Sequence, residues 1–145
     1  VRVGRLCPRC GSASHGRPWA DHDVHVSLAR SGPHLVTAVS RVPVGVDVES
    51  VAAVGRAWPD LGVRTPTGTL QEQAALWCRI EAVAKLTGRG LSAPAYDVWL
   101  DAYDVRDLAA PESYVAAIAT YRRAGDPDSG GGAAQSTGSD GSSGR

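Results

Sequence analysis

Residues 42–50 read VPVGVDVES, and the fold turns on how this stretch is placed. In an extended strand alternate side chains share a face. Val44, Val46 and Val48 therefore point toward a core, while Gly45, Asp47 and Glu49 point the other way. Two carboxylates about 7 Å apart on one face repel each other unless a cation lies between them. A hard divalent ion such as Mg²⁺ accepts one or two carboxylates together with substrate phosphates, and Gly45 leaves room beside the pair. The plainer alternative is that Asp47 and Glu49 face solvent at a strand end.

Working outward, VHVSLA (24–29) alternates Val24, Val26 and Leu28 with His25, Ser27 and Ala29, the period of a half-buried strand. HLVTAVS (34–40) is a second strand, joined to the first by the turn SGP, and VGVDVE (44–49) is the third. A short helix over VAAVGRAW ends at Pro59, and residues 59–69 read as loop. The strongest helix spans Leu70 to Leu86, with Thr69 as N-cap, Glu72 at its third position and Gly88 as C-cap. YDVWLDAY (96–103) and YVAAIATY (114–121) alternate as strands. The expected fold is α+β, an antiparallel sheet packed with one long helix.

That helix carries the second chemical signal. In LWCRIEAVAK (76–85), Leu76, Ile80 and Val83 form a stripe suited to docking on the sheet. Trp77, Glu81 and Lys85 form a neighbouring stripe, which places Glu81 and Lys85 in a groove rather than in open solvent. A Glu and a Lys at this spacing are most often a solvated ion pair. Here Glu81 offers a third carboxylate beside Asp47 and Glu49, and Lys85 offers charge to an anionic ligand. Lys85 is also the only lysine among 15 basic residues.

Those 15 basic residues balance 15 acidic ones, so no global field points to nucleic acid or an anionic membrane. No apolar run is long enough for a membrane span, no signal peptide is read, and three cysteines suit a reducing cytoplasm. The chain opens on Val1 and contains no methionine, which points to a GTG start or to a fragment of something longer.

The segments GVDVE, WCRIEAVAK and GRGL, preceded by HGRP (15–18) and HVSLARSG (25–32), resemble in order and spacing the 4′-phosphopantetheinyl transferases, in their surfactin-type branch. The resemblance covers about residues 4–121. It implies transfer of the phosphopantetheine arm of coenzyme A to a serine of an acyl- or peptidyl-carrier protein, the holo-acyl-carrier-protein synthase type of reaction. Such chemistry serves fatty-acid, polyketide or nonribosomal peptide synthesis, and it releases adenosine 3′,5′-bisphosphate. By similarity Asp47, Glu49 and Glu81 ligate Mg²⁺, Glu81 also deprotonates the carrier serine, and Lys85 binds the pyrophosphate. Arg17, Pro18, Arg30 and Ser31 complete the coenzyme A contacts.

The resemblance implies a fold of two similar lobes, of which this stretch of sequence is expected to carry the second and only a remainder of the first. The expected organisation is residues 1–43 as the remainder of that lobe, 44–124 as the second lobe with the metal and catalytic motifs, and 125–145 as a disordered Gly/Ser-rich tail. Three departures stand out: Ile80 where lysine is usual, Ala29 where serine is common, and Arg30 where histidine is frequent. They and the short first lobe motivate an alternative, a weak or inactive truncated descendant that binds carrier protein or coenzyme A. Self-association is one way to restore the cleft.

CPRCGSASHG (7–16) offers Cys7, Cys10 and His15, with His22 or His25 as a fourth candidate, so a small zinc-binding module is a third functional class. The favoured expectation is a tight turn leading into the substrate segment. Cys78 reads as a small packing residue, Trp58 and Trp99 as core aromatics, and His34 as exposed.

Overall fold

The computed structural model describes residues 2–7, 9–65, 67–89 and 100–123. The 125–145 tail, Trp99 and the first part of YDVWLDAY lie outside them. Among the described residues, seven strands and two α-helices follow in the order β1 (Val3–Leu6), β2 (Arg17–Ala20), β3 (His25–Ser31), β4 (His34–Ser40), β5 (Val44–Ser50), α1 (Val51–Ala57), α2 (Leu70–Thr87), β6 (Tyr103–Leu108) and β7 (Tyr114–Tyr121). The α+β class holds, but the expected single sheet is three antiparallel ones: β1–β2, β3–β4 and β5–β7–β6. Residues 100–102 form a 3₁₀ turn rather than strand, and β6 begins only at Tyr103.

The strand β5 is buried on both faces along Val44–Val48, not on one. Cross-strand pairs share a face, so the pairings Gly45 with Ala119, Asp47 with Ala117 and Glu49 with Val115 put the two acids among small apolar residues. Helix α2 packs on this face. Its sequence fixes its ends: the Thr69 hydroxyl accepts from Glu72 N–H, the Glu72 carboxylate accepts from Thr69 N–H, and Gly88 turns left-handed at φ 71°.

The most deeply buried stripe of α2 is Ala74, Cys78, Ala82 and Leu86, each at most 1% exposed. The expected stripe of Leu76, Ile80 and Val83 is only partly right, because Leu76 is half-buried while Ile80 and Val83 join the core. Small side chains let the helix sit close. A Cβ on Gly45 would overlap the Ala82 carbonyl oxygen and stand 2.5 Å from Leu86 N. The space beside Asp47 that Gly45 was expected to leave open is therefore filled by the backbone of α2.

The valine face of β5 turns toward β3 and β4. Along β3 the buried positions are Ser27 and Ala29, whereas Val26 and Leu28 are half-buried, the reverse of the expected alternation. Serine is buried there because it supplies hydrogen bonds. Ser27 Oγ accepts from Val46 N–H at 3.0 Å and Ser31 Oγ from Ser50 N–H at 3.2 Å. Both pairs have a separation of 19 residues, so β3 and β5 run side by side in the same direction, joined through hydroxyls. Ala29, between the serines, packs with Val48 and Ala116.

Candidate active site

Asp47 is 3% exposed, held down by α2 over the strand. Its Oδ1 accepts from Lys85 Nζ at 2.6 Å, and its Oδ2 is buried without a hydrogen-bond partner. Burial pushes the Asp47 carboxyl above its ordinary range, an effect that the Lys85 ammonium partly offsets. Lys85 reaches this position because it stands one helical turn beyond Glu81 on the same side of α2.

Glu49 lies two residues along the same strand face and is half-buried. Burial first, then the charges of Asp47 and Glu81, push its carboxyl up to about 7. Glu81 rises as well, through burial and then the Asp47 charge, again offset by Lys85. The three carboxylates thus sense one another across β5 and α2. Their oxygens do not all lie within 4.8 Å of one another, since among the described residues only Cys7, Cys10 and His15 form so tight a group. As a donor set, three carboxylates with one buried oxygen lacking a partner suit a hard divalent cation.

Next to this acidic face, Arg5, Arg17, Pro18, Ser27 and Lys85 line a cavity of about 270 Å³ that ends at Gly88. Arg17 is fixed there by donating from Nη2 to the Leu86 carbonyl at 3.2 Å, one of the free carbonyls at the end of α2. Arg30 and Ser31 lie elsewhere, at the far end of β3. Arg30 Nε donates to Gly32 O within its own turn, and Ser31 bonds Ser50, the neighbour of Glu49. The turn is braced by Tyr114, whose ring meets His34 edge-on at 4.4 Å, so His34 is half-buried rather than exposed.

Sequence reasoning missed Ser27, which both closes the β3–β5 seam and lines the cavity with Lys85. Its only signal was a polar residue in strand alternation, and that signal pointed to solvent. Ile80, which stands where lysine is usual in the resembling family, is a core residue at 4% exposure, as its place in the docking stripe implied. Trp77 is also in the core, and Trp58 packs against it from the edge. Cys78 is buried, its thiol donates to Val115 O, and burial beside Asp47 raises it well above the ordinary thiol range, as befits a packing residue.

No protein-family model matches the chain. It is 25% identical over 97 residues to 4′-phosphopantetheinyl transferase gsp of Aneurinibacillus migulanus, covering 60% of this chain and 41% of that protein. It is 30% identical over 108 residues to a 4′-phosphopantetheinyl transferase of Bacillus subtilis, covering 66% of this chain and 46% of that one. The chain spans less than half the length of these curated relatives. With both, its resemblance to the 4′-phosphopantetheinyl transferase superfamily is shown.

Proposed function

From a chain of shown similarity to the 4′-phosphopantetheinyl transferases, we propose that it takes part in moving the phosphopantetheine arm of coenzyme A to a serine of a carrier protein. The observation that supports this most directly is the Asp47–Lys85 ion pair set among two further carboxylates and beside an arginine-lined cavity. Anionic pyrophosphate calls for such cations, and a hydroxyl nucleophile calls for a carboxylate base.

In this reading the serine oxygen forms a new bond to the phosphorus next to the pantetheine arm. The bond from that phosphorus to the adenosine 3′,5′-bisphosphate side breaks, and the serine proton passes to Glu81, directly or through water. Lys85 has three donors, so one can stay on Asp47 while the others meet phosphate oxygens. Arg17 and Pro18 border the same cavity, and Arg30 with Ser31 serve the other end of coenzyme A. Asp47, Glu49 and Glu81 are the residues that would hold Mg²⁺, which when bound neutralises charge on the pyrophosphate.

Partners in this reading are an apo acyl- or peptidyl-carrier protein and coenzyme A, and the three free thiols suit a reducing cytoplasm. Self-association is included: Val39, Val42, Leu108 and Tyr121 are exposed around an open cleft of about 960 Å³ between β4 and the valine face.

The test incubates an apo-carrier with coenzyme A, Mg²⁺ and the chain, alone or with any in-frame upstream extension, and measures carrier mass. A mass increase lost in Glu81→Gln is expected. No increase with either form would overturn the reading, and sedimentation at several concentrations tests self-association.

A further inference from the structure

The loop between β1 and β2 gathers three soft donors. Cys7 Sγ, Cys10 Sγ and a His15 ring nitrogen all lie within 4.8 Å of one another, and Cys10 Sγ is 3.4 Å from His15 Nε2. The backbone is folded for this purpose. Gly11 N–H donates to the Cys7 carbonyl at 2.8 Å and Cys7 N–H to the Ser12 carbonyl at 2.9 Å, closing a tight knuckle, with Gly11 left-handed at φ 71°. The neighbouring backbone N–H groups of Cys10 and Arg9 hold the Cys7 thiol below its ordinary range, which favours the thiolate.

His15 arrives by a second constraint. Gly16 is left-handed at φ 103°, and a Cβ there would overlap the Leu6 carbonyl and stand 2.5 Å from Cys7 N and Cα. Only glycine lets the returning chain press against Cys7 and bring His15 over the two sulfurs. Neither His22 nor His25 belongs to the group. Both exposed donors, Cys10 and His15, leave a side open to a further ligand.

We propose that Cys7, Cys10 and His15 bind a zinc ion that clamps the β1–β2 loop. Two thiolates and an imidazole select a borderline-soft divalent ion of tetrahedral habit, and water or a donor from another molecule takes the fourth position. The clamp matters because Arg17 follows His15 by two residues. Zinc at the knuckle holds the start of β2, and with it the Arg17 guanidinium that bonds the Leu86 carbonyl. The proposal rests on residues 7–16 and is independent of the transferase reading.

The test purifies the full chain under reducing conditions without chelator, measures metal by elemental analysis, and titrates Co²⁺ into chelator-stripped protein. About one zinc per chain is expected, and Co²⁺ should give thiolate charge-transfer bands with strong tetrahedral ligand-field absorption. Cys10→Ser or His15→Ala should weaken Co²⁺ binding at least about tenfold. Stripping zinc should speed amide exchange over residues 15–20 but not in α2. Absence of zinc, together with no cobalt–thiolate bands while the Cys7 and Cys10 thiols titrate as free, overturns the proposal. That Co²⁺ result is read on the unmutated chain, so it decides even if a variant fails to fold.

Discussion

Lys85 Nζ sits 2.6 Å from one oxygen of Asp47 while the other oxygen of that carboxylate is buried with no partner. The charge is half satisfied. Removing the lysine as Lys85→Ala strands a buried carboxylate, at a cost of about 3 kcal/mol. Urea unfolding checks this. The double variant Asp47→Asn/Lys85→Ala should recover much of the loss, and a strictly additive cycle would show that the two groups do not couple.

Gly45 predicts a steric failure. With the α2 backbone pressed against it, Gly45→Ala must lift the helix off β5, costing about 3 kcal/mol or more. Thermal unfolding reads the effect, and a change within about 0.5 kcal/mol would contradict the close approach.

At the β3–β5 seam, Ser27→Ala leaves the buried Val46 N–H unpaired, for a loss of about 1–3 kcal/mol. Ser31→Ala, at the more open end, should cost less. Hydrogen exchange at the Val46 and Ser50 amides separates the two, each accelerating only when its own serine is removed.

Glu49 gives a pH dependence. Its folded value of about 7 exceeds the ordinary 4.5, so between these pH values the folded chain holds more proton than the unfolded one. Stability from this group is therefore lost as pH rises through that window. In chelator, Glu49→Gln should raise Tm at pH 8 and leave it nearly unchanged at pH 4.5. After solvent screening of this half-exposed group the gain is about 1 kcal/mol, roughly 3 °C. A gain confined to acid pH would reverse the sign and refute it.

Local chemistry explains what could be read ahead of the structure. The Thr69–Glu72 capping box and Gly88 fixed both ends of α2, and clean alternation located β4 and β7. Faces were harder. Period two says that side chains alternate but not which side is covered, so Ser27 and Ala29 were assigned to the wrong side of β3. Likewise Gly45 was read as space because a missing side chain does not say what approaches it. The short strands β1 and β2 escaped notice because four residues are too few to show a period and their large apolar side chains Leu6 and Trp19 are exposed, while the segment between them is shaped by its glycines. Asp47, Glu49, Glu81 and Lys85 were legible through type and spacing, whereas the anchoring of Arg17 on Leu86 joins residues 69 apart in the chain.

The contact at Gly45 also governs tolerance. Where helix backbone meets strand backbone with no side chain between them, as at Gly45, no rotamer can be exchanged at that point to adjust the gap. The height of Lys85 and Glu81 over Asp47 is then a fixed dimension of the molecule, and substitutions around it will weaken the whole assembly before they retune that spacing.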